Sequence, residues 1–370
     1  MALVDALKAL GSQFIVLHHL AFYGPMSDWM HELLPDLVEW LSRDARMAVQ
    51  VFLVVGGFLA ARSLAPRGLL LTPQPLSLIA KRYLRTTLPL LAALLLSMAG
   101  AELARHWMLH DSIPARAEAA QFLAHVLLLQ NVIGFDSLSA GVWYVAIDFQ
   151  LFALLLGLLW IARSLGAGLA LSATLLLLAV TMSLYGFNLD SDWDVWAPYF
   201  LGAYGLGALA FWATQSQRGF KGLLWLAGLC LLVAGALAVE FRTRIALAML
   251  TAVLLGVAQQ GRWLEVLPRG RIWAYFSRIS YSVFLLNFPA ALVINAAFTR
   301  FAPADPWVQT GGFMLAWMAC NLAGAAFHHW VELPLGRLGT VRRLPSDTAT
   351  LSSKPASRLT LGGLNQFPPV

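Results

Sequence analysis

The chain has 370 residues, of which 59% are hydrophobic and 12% charged, and its formal net charge is +6. Soluble domains have roughly 25% charged residues, so this composition excludes an ordinary soluble enzyme. Apolar runs of about 20 residues, enough to cross about 30 Å of hydrocarbon as a helix, recur along the chain. They show no alternation with a period of two, which disfavours a β-barrel. We predict an all-α, polytopic membrane bundle of about ten transmembrane helices.

The predicted helices follow the apolar runs in chain order: 8–25, 46–64, 83–104, 143–163, 167–186, 195–213, 222–239, 245–260, 273–296 and 310–332. The apolar stretch at 119–133 is too short for a full span, and we predict a re-entrant or interfacial segment there. Residues 1–343 form the predicted membrane domain. The polar, proline-containing residues 344–370 are predicted to be a disordered cytoplasmic tail.

Loop charges predict the orientation. The connections that share a side with the N-terminus carry basic residues: Arg62, Arg67, Lys81, Arg82, Arg85, Arg163, Arg218, Lys221, Arg262, Arg269, Arg271, Arg337, Arg342 and Arg343. The opposite connections are mostly acidic: Asp28, Glu32, Asp36, Glu39, Asp44, Asp111, Asp190, Asp192, Asp194, Glu240 and Asp305. The positive-inside rule therefore places both termini in the cytoplasm. The basic loops fit contact with membrane lipids and do not predict nucleic-acid binding.

A few polar side chains fall inside the apolar runs, and each is a functional candidate because burying it in lipid costs several kcal/mol. Lys8 and His19 share a face of the first helix, with His19 about 16 Å deeper, whereas His18 points about 100° away. Asp148 lies about 8 Å inward from Trp143 on the fourth helix. A lone carboxylate at that depth needs a proton or a partner, and we predict that the partner is His19.

Two further groups complete the polar set. Asn287, in the ninth helix, falls at a depth similar to that of His19. Arg82 and Arg85, three residues apart, share a helix face on the cytoplasmic side. One interpretation is that they only set the membrane topology and contact anionic lipids. The other is that they bind the phosphates of a cytosolic ligand.

Six short motifs occur in order between residues 5 and 337. Asp-Ala-Leu-Lys at 5–8 precedes His19, and 52–59 read Phe-Leu-Val-Val-Gly-Gly-Phe-Leu. Residues 82–85 read Arg-Tyr-Leu-Arg, and 143–152 read Trp-Tyr-Val-Ala-Ile-Asp-Phe-Gln-Leu-Phe. Residues 279–289 read Ile-Ser-Tyr-Ser-Val-Phe-Leu-Leu-Asn-Phe-Pro, and 332–334 read Glu-Leu-Pro. In this order, the motifs resemble those of the acyltransferase-3 family of membrane O-acyltransferases.

The resemblance implies transfer of an acyl group, most often acetyl, from cytosolic acyl-CoA to a hydroxyl of a cell-surface or exported glycan or related acceptor. It also implies a bacterial inner membrane. CoA is a substrate, and no permanently bound cofactor or metal is expected.

Roles for the candidate residues follow as a hypothesis. His19 acts as general base and Asp148 orients its ring. The residues expected to bind the CoA phosphates are Arg82, Arg85 and Lys8. The expected oxyanion or substrate contacts are Gln150, Asn287, Ser280, Tyr281 and Trp143.

Gly56 stands where the family's pattern has Ser, and three departures concern the candidate site. Lys8 replaces an Arg, Asp148 replaces a Glu, and Asn287 replaces a second His. Because an amide cannot take a proton near neutral pH, catalysis is placed on His19. A catalytically inactive member, a transporter or flippase of a lipid-linked or small polar substrate, and an acyl-histidine intermediate all stay open. The acceptor, the acyl group and the oligomeric state are not determined by the sequence.

Overall fold

The computed structural model describes residues 1–215 and 219–338, which are helical and contain no β-strand. In chain order the helices are α1 (Ala2–Phe22), α2 (Met26–Leu33), α3 (Pro35–Arg43), α4 (Ala48–Leu64), α5 (Pro75–Trp107), α6 (Ala119–Val126), α7 (Val142–Ser164), α8 (Leu169–Tyr185), α9 (Ala197–Ala213), α10 (Phe220–Val239), α11 (Thr243–Gln260), α12 (Arg271–Phe301), α13 (Pro306–Phe327) and α14 (Leu333–Leu338). The predicted tail, Arg218, Arg342 and Arg343 lie outside the described residues.

The ten predicted helices are all present, as α1, α4, α5 and α7 to α13, which confirms the all-α membrane bundle. Eight segments of the described chain are long and apolar enough to cross a membrane, and they contain all of the ten except α1 and α9. α9 has 17 residues, of which 16 are buried against other helices. It is therefore a central helix of the bundle, surrounded by protein rather than by lipid.

Four helices, α1, α5, α12 and α13, extend at least four residues beyond their predicted bounds, and the sequence explains the earlier starts of two of them. α5 begins at Pro75 instead of residue 83, because proline fits the first turn of a helix, where its missing N–H has no intrahelical partner anyway. α13 begins at Pro306 instead of 310, and the carboxylate of Asp305 caps it by accepting from the backbone N–H groups of Trp307 and Val308, each at 3.0 Å. The earlier start of α5 places Arg82 about 10 Å inside the helix.

The helix ends alternate between two faces of the bundle. On the first, which we call the N-terminal face, the N–H of Leu3 donates to the carbonyl of Leu264 at 3.2 Å. The indole of Trp212 donates to the carbonyl of Ala65 at 2.8 Å on the same face. On the opposite face, Arg242 donates to the carbonyl of Leu184 at 3.1 Å. These contacts join the ends that the loop charges group together.

The segment between α5 and α7 enters the bundle and returns. α6 has only eight residues, about 12 Å, and does not span a membrane. The hydroxyl of Tyr83 donates to the carbonyl of Val126 at 2.6 Å, at the deep end of this segment. In the part of the segment that leads from α6 to α7, the carbonyl of Leu138 accepts a hydrogen bond of 3.0 Å from the hydroxyl of Ser97. The predicted re-entrant segment is thus a short helix, buried at Ala124 and His125, followed by a hydrogen-bonded return.

The closest helix contact in the core joins α4 to α9. A Cβ placed on Gly57 would lie 1.8 Å from the carbonyl oxygen of Tyr204, and a Cβ on Gly207 would lie 1.9 Å from that of Val54. Small residues let helix backbones approach this closely in membranes. The two glycines therefore set the separation of α4 and α9.

Replacing Gly57 with alanine is expected to destabilise the protein by about 1–3 kcal/mol, because the added methyl meets backbone and forces the helices apart. Thermal unfolding of the purified protein in detergent measures the effect. Gly228→Ala in α10 is the matched control, since nothing lies within 4 Å of a Cβ at that position. An equal loss of stability in the two variants would contradict the close-contact role of Gly57.

Candidate active site

A cavity of about 800 Å³ lies between the C-terminal end of α1 and the loops of the opposite face. Its volume is within the range of about 300–1,000 Å³ typical of small-molecule sites. His18 and His19 form part of its wall. Phe22, Arg46 and Thr243 also line it and are exposed, so the cavity opens on the opposite face.

The surroundings of His19 fix its tautomer. The side-chain amide of Asn287 donates to the backbone carbonyls of Val283, at 3.1 Å, and Phe284, at 2.7 Å, so its Oδ1 can only accept. That Oδ1 contacts Nδ1 of His19, which must therefore carry the proton. Nε2 keeps its lone pair and has no hydrogen-bond partner among the described residues. His19 is thus held as a neutral base facing the cavity.

His18 lies beside His19, with the ring centroids 5.4 Å apart. Its Nδ1 is 3.2 Å from the carbonyl of Leu41, which also leaves Nε2 as the acceptor nitrogen. The helical projection predicted that the two rings point in different directions. They nevertheless line one cavity, because that cavity surrounds the end of α1 rather than lying along a single face of the helix.

The predicted pairing of His19 with Asp148 is contradicted. Asp148 accepts a hydrogen bond from the guanidinium of Arg82, whose carbon also lies 5.1 Å from the centroid of the Phe152 ring. Neither residue of this ion pair lines the cavity. A carboxylate in the membrane needs a compensating charge, and Arg82 provides it because α5 starts eight residues earlier than predicted. Arg82 is thus paired with a carboxylate, but its Nε has no partner among the described residues, so its predicted contact with the CoA phosphates stays a prediction.

The predicted oxyanion donors have other hydrogen bonds. Gln150 donates to the backbone carbonyl of Leu128 at 3.1 Å. The hydroxyl of Ser280 donates to the backbone carbonyl of Ser277 at 2.8 Å. The hydroxyl of Tyr281 donates to the carbonyl of Thr86 at 2.8 Å. None of these three residues lines the cavity. With both amide hydrogens of Asn287 also committed, these four residues do not supply oxyanion contacts in this structure.

Trp143 does line the cavity, as expected for a substrate contact, and the structure adds residues that sequence reasoning missed. Gln50 is 6% exposed, lines the cavity and has no hydrogen bond within the described part of the chain. Asn131, in the re-entrant segment, also lines it, and its Oδ1 is buried without a partner. A search for amides as well as charges within apolar runs would have found Gln50.

A second polar cluster lies toward the N-terminal face. Glu332 accepts a hydrogen bond from the hydroxyl of Ser282 at 2.5 Å and lies 2.8 Å from Nδ1 of His328. His328 and Glu332 are the first and last residues of a π-helical turn, a distortion often found at functional sites. Lys8 lies within electrostatic reach of Glu332 and of Arg85, which is exposed. Lys8 and Arg85 therefore lie near each other, as predicted.

The apolar helix bundle and its cavity with two buried histidines are those of an integral membrane protein with a candidate enzyme site. The model of one family, described as an acyltransferase domain, matches residues 1–325. The chain belongs to this family, acyltransferase-3, and is a membrane acyltransferase. A comparison with curated proteins found no match, and neither did a comparison with solved structures.

Proposed function

We propose that this protein transfers an acyl group, most often acetyl, from acyl-CoA at the N-terminal face to a hydroxyl of a glycan or related acceptor held in the cavity. The observation that carries the proposal is the unpartnered Nε2 of His19 in that cavity. A neutral imidazole of defined tautomer, within reach of a bound acceptor, is the arrangement that general-base catalysis requires.

The reaction proceeds by attack of the acceptor on the thioester. Nε2 of His19 removes the proton of the acceptor hydroxyl while the oxygen attacks the carbonyl carbon of the thioester. The tetrahedral intermediate then collapses, the C–S bond breaks, and the departing CoA thiolate takes the proton from Nε2. Asn287 holds Nδ1–H throughout and stabilises the imidazolium more weakly than a carboxylate would, because its Oδ1 is neutral.

Stabilisation of the oxyanion falls to donors with free N–H groups in the cavity. Gln50 and Trp143 meet this condition: both line the cavity, and neither side chain has a hydrogen bond within the described part of the chain. Such donors lower the barrier most when they are already positioned before the charge develops. They replace Gln150, Asn287, Ser280 and Tyr281 in this role.

The acyl-CoA donor is proposed to bind from the N-terminal face, with its phosphates against Lys8 and Arg85. Arg85 is exposed and makes no hydrogen bond or ion pair with another described residue. Its guanidinium is free to form paired hydrogen bonds with a phosphate. The basic loops of this face support a cytoplasmic location for both termini and a bacterial inner membrane as the setting.

Arg85→Gln is expected to raise the KM for acetyl-CoA about ten-fold, with kcat nearly unchanged, because a phosphate contact binds ground state and transition state alike. Initial rates of CoA release at varied acetyl-CoA concentration measure it. Arg62→Gln is the control, since Arg62 is also exposed on this face but lies 3.3 Å from Glu265. An unchanged KM in Arg85→Gln would remove Arg85 from the donor site.

A further inference from the structure

The mouth of the cavity is lined by four arginines and two aspartates: Arg43, Arg46, Arg242, Arg244, Asp44 and Asp194. Two of the arginines are already satisfied by the protein. Arg43 lies 2.9 Å from Asp44 and 3.2 Å from Glu39. The buried Arg242 donates to several backbone carbonyls and, at 2.9 Å, to Oδ1 of Asn188. Arg242 thereby joins the loop after α8 to the one after α10, whereas the contacts of Arg43 are local.

The other two arginines have unused hydrogen-bond donors. Arg244 is held in place by stacking on Tyr199, with the guanidinium carbon 4.6 Å from the ring centroid, and by one bond of 3.2 Å to the carbonyl of Asn188. Its Nε is buried and has no acceptor. Arg46 is exposed and makes no hydrogen bond or ion pair with any other described residue.

The charges at the mouth do not cancel. Among the residues that line the cavity, four arginines face two aspartates, an excess of two positive charges, and Glu39 beside Arg43 offsets one of these from outside the lining. A buried N–H without an acceptor is unfavourable, and that cost is relieved when a ligand supplies the acceptor. A carboxylate or phosphate matches the planar donor geometry of arginine.

We propose that the acceptor is an anion: a hydroxyl-bearing molecule whose carboxylate or phosphate binds Arg244 and Arg46 while its hydroxyl reaches His19. This inference rests on the proposed acyl transfer for the meaning of "acceptor", but the anion site itself is a binding property. Both cations line the same cavity as His19, so one small acidic sugar can contact the two regions together.

The test measures binding to the purified full-length protein in detergent by isothermal titration calorimetry. The probes are methyl glucuronoside, glucose 6-phosphate and the neutral methyl glucoside, so that the two acids distinguish a carboxylate from a phosphate. At least one acid is expected to bind about ten-fold tighter than the neutral sugar. Arg244→Gln and Arg46→Gln should each remove most of that preference.

The control is Arg116→Gln, an equal charge change at a position that is outside the cavity and paired with Glu102 at 3.2 Å. It should keep the preference. The proposal is overturned if the neutral sugar binds as well as both acids, if neither acid binds, or if Arg116→Gln loses the preference as fully as Arg244→Gln. Competition by CoA for the same arginines would also overturn it. Failure of acyl transfer leaves these binding results unchanged, so the two proposals fail separately.

Discussion

Replacing His19 with glutamine is expected to lower the rate of acyl transfer by about 10²–10⁴-fold, the range that a positioned general base contributes. Glutamine fills a similar space and can still bond to Asn287, but it cannot take the proton of the acceptor. The measurement is the initial rate at which radiolabelled acetyl-CoA transfers label to alkali-labile esters in membranes that contain the protein. Thermal unfolding of the purified variant shows whether the fold is kept.

The neighbouring histidine provides the control for this experiment. His18→Gln should lower the rate by less than about ten-fold, because the proposed base is His19, whose Nδ1 contacts Asn287. A larger loss in His18→Gln than in His19→Gln would transfer the role of base to His18. Equal and complete retention of activity in both variants would remove histidine from the mechanism.

Breaking the ion pair between Arg82 and Asp148 is expected to cost about 3 kcal/mol of stability, since a buried charge left without its partner is strongly unfavourable. The figure is at the low end for buried pairs because 37% of the Arg82 side chain is exposed. Arg82→Met and Asp148→Leu should each show this loss when the free energy of unfolding is measured in mixed micelles. The double variant should recover much of it, because two apolar side chains leave no charge uncompensated.

Additive losses in this double-mutant cycle would show that the two residues do not act as a pair.

Arg82→Met also decides between the two roles considered for this residue. A structural arginine lowers stability and leaves the KM for acetyl-CoA unchanged. An increase in that KM at unchanged stability would return Arg82 to the phosphate clamp.

The helices were predictable because an apolar run of about 20 residues has few alternatives in a membrane. The positions of α7, α8 and α11 differ from the predicted ones by two residues or fewer. The polar N-terminal turns of α5 were not predictable from hydrophobicity, because residues 75–82 lie beyond the apolar run. Hydrophobicity alone also missed α2 and α3, which are short amphipathic helices in the acidic loop at 28–44.

The polar residues of the site were predictable, whereas their partners were not. Depth along each helix pointed to His19, Asp148 and Asn287, and all three are shielded within the bundle. Which of them touch depends on helix rotation and on where α5 begins, and a helical projection of one sequence contains neither. The pairing of Arg82 with Asp148 and that of His19 with Asn287 therefore required the three-dimensional arrangement.

The most direct test of the account is the sidedness of acyl transfer. Inside-out and right-side-out vesicles from cells that produce the protein are incubated with radiolabelled acetyl-CoA, which does not cross the membrane. The account predicts that inside-out vesicles, which expose the N-terminal face, incorporate alkali-labile label, and that this incorporation is lost in His19→Gln. Absence of label from inside-out vesicles, or undiminished labelling in His19→Gln, would contradict transfer from a donor at the N-terminal face through His19.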